Sequence, residues 1–320
     1  MEIGEFELIK KYFHREELAP SLADTAEIGD DCALLEVPSN MQLAQSLDTL
    51  VEGVHFPLNC DPELLGYRAL AVNLSDIAAM GAYPCYFMLG LTIPEANQFW
   101  LKGFSDGLSA IAQQEGVALI GGDTVCGPLA ITIQVQGLIK KGKALKRNGA
   151  IAGDKIYVSG SLGDAAGALN FVLEGQLPST VVDKDECRLL NRYYRPTPRL
   201  ALGQWLGDNG ANAAIDISDG LLGDLGHILT ASHKGAILNP DMIPCSDALT
   251  RVYGSEQAKL FAMTGGDDYE LCFTWPENKA LTLPEALGCT VSHIGHITKK
   301  MQLVNSITGK DINLNSYAHF

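Results

Sequence analysis

The sequence predicts a mixed α/β (α+β) protein of two domains. At 320 residues the chain is longer than a single hydrophobic core comfortably supports. Strand-like apolar runs alternate along it with segments of helical periodicity. The turns between them are rich in Asp and Gly, and 33 glycines in all mark tight turns or loops whose backbone lies against a ligand. With 47% hydrophobic and 19% charged residues the composition is that of an ordered globular chain.

Phe6, Ile9 and Phe13 recur at helical spacing and predict a short helix laid on the first domain. Ile28-Gly-Asp-Asp-Cys-Ala33 follows as a tight acidic turn, its glycine freeing the backbone just before two carboxylates. Residues 41–47 read as a strand that delivers Asp48-Thr49, and Val51-Glu-Gly-Val-His-Phe56 as a loop over that strand's C-terminal end. His55 in this loop is either a structural histidine or one that faces a ligand near Asp48.

A helix then opens with Asp61 as N-cap and Pro62 at its first position, and Gly81 ends it. Leu64, Leu65, Leu70, Leu74 and Ile77 give its apolar register, while Asn73 and Asp76 share a face with Ala69 and Met80. No Lys or Arg lies within one turn of Asp76. Its carboxylate therefore calls for a helix-to-loop hydrogen bond or a metal ion as counter-charge.

Next come a strand over 85–93, a helix over 95–115 capped by Gly116, and a short strand over 117–120. That strand runs into Gly121-Gly-Asp-Thr124, where two glycines let backbone N–H groups approach an anion and Asp123 can hold the anion's metal. A strand over 129–139 closes the first domain. Gly137-Leu-Ile-Lys-Lys-Gly-Lys-Ala144 approximates a P-loop, but Ala144 replaces the hydroxyl that would bind Mg²⁺ and Asn148-Gly149 interrupts any following helix. We reject the P-loop. Lys140, Lys141, Lys143, Lys146 and Arg147 remain a dense basic cluster, mostly a solvated loop, with one or two members available to a triphosphate.

The second domain begins near residues 149–153, with a strand over 155–158 and a helix entered through Gly160-Ser-Leu-Gly-Asp164. Helices over 183–194 and 199–206 lead to a strand over 213–217 that delivers Asp216-Ile-Ser-Asp-Gly-Leu221 to the start of another helix. Helix N-termini favour anions, so this is phosphate and metal architecture, although Asp219 is also a natural N-cap. Gly265-Gly-Asp-Asp-Tyr-Glu-Leu271 precedes a strand over 271–274, and strands over 291–297 and 301–304 end the pattern.

A net charge of −15 argues against nucleic-acid binding, and any phosphate held beside these carboxylates needs divalent cations between, with Mg²⁺ the best match to oxygen ligands. The eight cysteines include no CxxC pair. Neither a signal peptide nor a membrane-spanning run is expected, which together with the unpaired cysteines predicts a cytoplasmic protein.

Taken in order, Gly29-Asp-Asp-Cys-Ala33, Ser46-Leu-Asp-Thr49, Val51-Glu-Gly-Val-His-Phe56, residues 73–82, Gly121-Gly-Asp-Thr124, Ile217-Ser-Asp-Gly-Leu221, Gly265-Gly-Asp-Asp-Tyr-Glu-Leu271 and Tyr317-Ala-His-Phe320 resemble the thiamine-monophosphate kinase family from end to end. The resemblance implies residues 1–148 as an ATP- and Mg²⁺-binding domain whose sheet pairs with a second subunit's in a homodimer barrel. Residues 149–320 would be an α+β domain that completes the substrate site. It implies direct transfer of the γ-phosphoryl group of ATP to thiamine phosphate, with no phosphorylated residue. It makes Asp31, Ser46, Leu47 (through its carbonyl), Asp48, Asp76, Asp123, Asp216 and Asp219 the Mg²⁺ ligands, with several ions held. Gly122, Asp123, Arg147 and Ser218 fall where the family binds ATP, and His55, Asp267 and Tyr317 where it holds thiamine phosphate. Leu47 stands where Thr is common, which removes a hydroxyl, and Asp267 stands where Glu is usual, which shortens its reach by one methylene.

Three alternatives compete: another ATP-dependent synthetase of the same architecture, a metal-dependent phosphatase, and a non-catalytic binder of thiamine phosphates. The first loses ground because Cys32 lies inside an acidic turn and the last residues are His319 and Phe320, not a terminal cysteine.

Overall fold

The structure, a computed structural model, describes residues 4–19 and 31–312. Gly29, Asp30 and the Tyr317 segment lie outside the described residues. The chain divides into two compact units, the first holding residues 1–77 and 82–142, the second 78–81 and 143–320.

In the first unit α1 (Glu5–Tyr12) buries Leu8 and Tyr12, and Phe13 just beyond it meets Phe104 edge-on at 6.4 Å. Strand β1 (Met41–Val51) leads to α2 (Pro62–Ala79), then β2 (Tyr83–Ile93), α3 (Gln98–Glu115), β3 (Ala118–Cys126) and β4 (Ala130–Lys140). The four-stranded sheet has the order β1-β4-β2-β3. β2 and β3 run parallel, which a hairpin cannot achieve, so α3 forms the crossover, while β4 inserts antiparallel between β1 and β2.

The start of α2 is as the sequence predicts, with Asp61 Oδ1 accepting from the N–H groups of Glu63 and Leu64 at 3.0 Å. Nearly every residue of α2 is buried, as its sequence of small and apolar residues requires. Gly66 and Gly107 let α2 and α3 touch backbone to backbone: a Cβ on Gly66 would sit 2.1 Å from Phe104 O, and one on Gly107 1.8 Å from Glu63 O.

The second unit comprises β5 (Lys155–Ser159), α4 (Asp164–Leu173), α5 (Lys184–Tyr194), α6 (Leu200–Asn209), β6 (Ala213–Asp216), α7 (Leu221–Ser232), β7 (Gly235–Leu238), α8 (Asp247–Tyr253), α9 (Ser255–Thr264), β8 (Leu271–Trp275), β9 (Val291–Thr298) and β10 (Leu303–Asn305). Its six-stranded sheet, β10-β7-β9-β5-β8-β6, is antiparallel except for β10 on β7. Ile156, Val158, Ile215 and Cys272 join Leu221, Leu225 and Ile228 of α7 in the core. Alternation sends Trp275 to the other face, where it stacks on Trp205 of α6 at 5.6 Å. The mixed helix-and-strand class is therefore the observed one.

Two local expectations change. Residues 121–124 are not a loop after a strand but lie inside β3, and Asp48 likewise lies inside β1. The glycine pair is accommodated by a bulge at Phe87/Met88 and by Gly122, whose φ of +153° and whose 1.9 Å approach from a built Cβ to Leu89 O exclude any side chain. The P-loop rejection stands: β4 continues through Lys140 and a turn follows.

Candidate active site

In the first unit, period-two alternation puts Ser46, Asp48 and the buried Leu50 of β1 on the face that α2 covers. Helical spacing puts Asn73 and Asp76 of α2 on one face. Ser46 Oγ donates to Asp76 Oδ2 at 2.5 Å, the Asp48 N–H donates to Asn73 Oδ1 at 3.2 Å, and Asn73 Nδ2 donates to Ala69 O at 2.9 Å. Asn73 thus ties a buried helix position to the strand residue that carries a candidate metal ligand. Asp48 and Leu47 are exposed and Asp76 half-buried. The helix-to-loop hydrogen bond proves to be a helix-to-strand one, and it leaves Asp76 in company with hard oxygen donors.

His55 accepts the Val51 N–H on Nδ1 at 3.0 Å, so its neutral ring carries the proton on Nε2. Gly122 and Asp123 lie on the far edge strand. Asp48 pairs with Ile133, Ile133 with Leu89 and Leu89 with Gly122, so Asp48 and Gly122 end one row across the sheet. Three strand spacings put them roughly 14 Å apart. Asp48 and Asp123 thus stand on the two edge strands of the sheet, and Asp31 is exposed outside it. Among the described residues, no group of three or more His, Cys, Asp or Glu side chains is placed to hold a metal by itself. The Ser46–Asp76 pair with neighbouring Asp48 nevertheless fits Mg²⁺, which takes one or two carboxylates and fills its shell with water and phosphate oxygens.

In the second unit Asp216 ends β6, buried, with half-buried Ser218 and Asp219 in the loop that follows. Gly220, not Asp219, occupies the N-cap position of α7. The carboxylate that satisfies the loop comes from Asp224, one turn into α7, whose Oδ2 accepts the N–H groups of Ser218 at 3.0 Å and Asp219 at 3.1 Å. Asp224 is 2% exposed, and burial pushes its carboxyl up to about 7 against the pull of those hydrogen bonds. The Ser218 and Asp219 amides are thus already engaged.

The loop at 265–270 docks on the same segment. The N–H of Asp267 donates to Ser218 O, that of Tyr269 to Ile217 O and that of Ile217 to Glu270 O, each at 2.8 Å. Asp267 (φ +68°) and Tyr269 (φ +51°) are left-handed, a conformation costing on the order of 1–2 kcal/mol per non-glycine residue. Backbone bonds and the Tyr269 OH donating to Asp267 Oδ1 at 2.9 Å hold them there. Asp268 is buried and accepts the Gly163 N–H with both oxygens, at 3.0 and 2.8 Å, and burial raises its carboxyl well above the usual range. Glu270, fully buried, receives Arg192 Nη2 at 2.9 Å, Arg199 Nε at 2.6 Å and Ser159 Oγ at 2.5 Å. Arg192 Nη2 also donates to Asp268 O at 3.0 Å.

Arg147 stands in a short turn (Arg147–Gly149) with its side chain exposed, while its carbonyl accepts from Ser232 Oγ of α7 at 2.9 Å. The structure thus groups Ser46, Asp48 and Asp76 in the first unit, and Asp216, Ser218, Asp219 and Asp267 in the second. Sequence reasoning missed Asp224, Glu270, Arg192 and Arg199. Asp224 had a signal, a lone carboxylate between Leu221-Leu222 and Leu225 on an otherwise apolar helix; the pairing of Glu270 with two distant arginines had none.

Comparison with known proteins gives the family. Residues 29–139 match the AIR synthase related protein N-terminal domain and residues 152–304 the corresponding C-terminal domain. The thiamine-monophosphate kinase of Salmonella typhimurium is 50% identical over 288 residues, 90% of this chain and 87% of its own length. The crystal structure of the Stenotrophomonas maltophilia K279a thiamine-monophosphate kinase superposes with a TM-score of 0.83 at 44% identity, covering 88% of this chain and 90% of that one. AaThiL, solved in complex with AMPPCP and TMP, gives 0.80 at 28% identity over 99% and 97% of the two chains. Motif order, fold and identity over nine-tenths of the length place this chain in the thiamine-monophosphate kinase family.

Proposed function

We propose that this chain transfers the γ-phosphoryl group of ATP to thiamine monophosphate in one in-line step, giving thiamine diphosphate and ADP with no phosphorylated residue. The observation that carries the reading is the oxygen clasp between β1 and α2, Ser46 Oγ on Asp76 Oδ2 at 2.5 Å beside Asp48, in a chain of net charge −15. Two phosphate anions meet beside such carboxylates only with cations between them. Bound Mg²⁺ supplies that neutralisation and a template for the in-line geometry.

On this reading Asp31, Ser46, Asp48, Asp76, Asp123 and the Leu47 carbonyl hold Mg²⁺ from the first domain, and Asp216 and Asp219 from the second. ATP is held by Gly122, Asp123, Arg147 and Ser218, the exposed Arg147 guanidinium reaching phosphate oxygens from a backbone anchored on α7. His55, Asp267 and Tyr317 hold the acceptor, with His55 Nε2 as donor. The functional division on this reading, residues 1–148 and 149–320, falls close to the 142/143 division of the compact units. AaThiL, solved with AMPPCP and TMP, supports the same pair of substrates here.

We also infer a homodimer. Leu43, Leu47, Tyr83 and Gln134 lie on the sheet face opposite α2, and Leu43, Leu47 and Tyr83 are 37%, 58% and 41% exposed, an apolar surface that a second copy would cover. Light scattering returning twice the chain mass supports this, and a monomer refutes it. Eight free thiols suit a reducing cytoplasm. No helix among the described residues is long and apolar enough to cross a membrane.

Incubation of the purified protein with ATP, Mg²⁺ and thiamine monophosphate, followed by chromatography, tests the function. Thiamine diphosphate and ADP in equal amounts are expected. Inorganic phosphate alone marks a phosphatase, and binding without turnover a carrier.

A further inference from the structure

We propose that Asp224 is a positioning residue for the loop at 216–220: its buried carboxylate takes up the Ser218 and Asp219 amides and so fixes where the side chains of those two residues project. The inference rests on the reading that Ser218 holds ATP and Asp219 holds Mg²⁺. The geometry is specific. Asp224 is one turn into α7, is almost wholly inaccessible, and uses one oxygen, Oδ2, for both N–H groups, at 3.0 and 3.1 Å.

An ordinary cap precedes its helix and serves the helix's own first amides. Asp224 does the reverse, reaching back from inside α7 to amides that precede the N-cap Gly220. Its acceptor therefore orders the loop more than the helix. The loop's other face is fixed by backbone bonds from Asp267 and Tyr269, so Ser218 and Asp219 sit between two restraints and only their side chains remain to adapt. Groups one shell behind a metal ligand set ligand orientation, and their loss typically lowers affinity about 10- to 100-fold.

The test compares Asp224→Ala, Asp224→Asn, Asp219→Asn and, as a control, Asp154→Asn. Asp154 is a buried carboxylate of the same unit that accepts the Ile151 N–H and Asn212 Nδ2 and touches neither loop. Each variant is titrated with Mg²⁺ in the presence of a non-hydrolysable ATP analogue by calorimetry, with unfolding temperature and kinetics recorded in parallel. Asp224→Ala is expected to weaken Mg²⁺ binding about tenfold or more, with KM for thiamine monophosphate unchanged. Asp224→Asn, which keeps one acceptor oxygen, should fall between it and the parent. Asp154→Asn should lower the unfolding temperature without moving Mg²⁺ affinity. If Asp224→Ala does not fold, Asp224→Asn decides: weakened Mg²⁺ binding supports the role and unchanged binding overturns it. Parent-like affinity in the Asp224 variants while Asp219→Asn loses Mg²⁺ overturns the inference alone. Parent-like affinity in Asp219→Asn removes the reading beneath it.

Discussion

The two units present their acidic groups by different means. In the first, Ser46, Asp48 and Asp76 stand on a strand and a helix, and the link between those elements is one hydroxyl and one amide, Ser46 and Asn73. In the second, Ser218, Asp219 and Asp267 stand in loops, one of which, at 265–270, holds two left-handed residues, Asp267 and Tyr269, and the link is made by buried side chains: Asp224, and Glu270 with Arg192 and Arg199. Regular elements carry their side chains in fixed directions at no extra cost. Loops need anchors, and in this unit buried carboxyl groups supply them.

The sharpest way to break that contrast is Glu270→Ala. It strands two arginines whose side chains are 15% and 18% exposed, so a stability loss of about 3–5 kcal/mol is expected in urea unfolding. A loss under about 1 kcal/mol would mean that the loop at 265–270 does not depend on this cluster. Asp76→Asn probes the other unit. Turnover should fall on the order of a hundredfold while the unfolding temperature stays near that of the parent, because the helix accepts an amide that a cation does not. Unaltered turnover refutes a ligand role for Asp76.

Gly122→Ala comes next, at about 2 kcal/mol or more of stability, since both the φ of +153° and the approach to Leu89 O oppose a methyl group. Circular dichroism melts read this directly, and an unchanged melt would show that the bulge relaxes freely. The smallest effect belongs to Arg147→Ala, whose side chain is exposed. KM for ATP should rise about tenfold with no loss of fold, the worth of a charge-assisted hydrogen bond. An equal rise in KM for thiamine monophosphate would move Arg147 to the acceptor instead.

The same contrast explains what the sequence disclosed. Asn73 and Asp76 were legible because helical spacing alone puts them on one face, and Asp61-Pro62 marked the helix start without ambiguity. The Gly121-Gly-Asp123 segment misled as to form, because glycine pairs signal loops, and only the neighbouring strand's Leu89 carbonyl reveals that Gly122 sits inside a bulged strand. Asp219 was open to a second reading as a cap, because an Asp-Gly pair before a helix usually is one. The true acceptor, Asp224, lies downstream where sequence rules do not look for it. Glu270 and its arginines lie some 70 to 80 positions apart in the chain, a separation that no local pattern encodes.

The most direct measurement follows the γ-phosphorus of labelled ATP through a single turnover with Mg²⁺ and thiamine monophosphate. The account predicts the label in the terminal phosphate of thiamine diphosphate and none on the protein. Label retained on the protein, or released solely as inorganic phosphate, would contradict it.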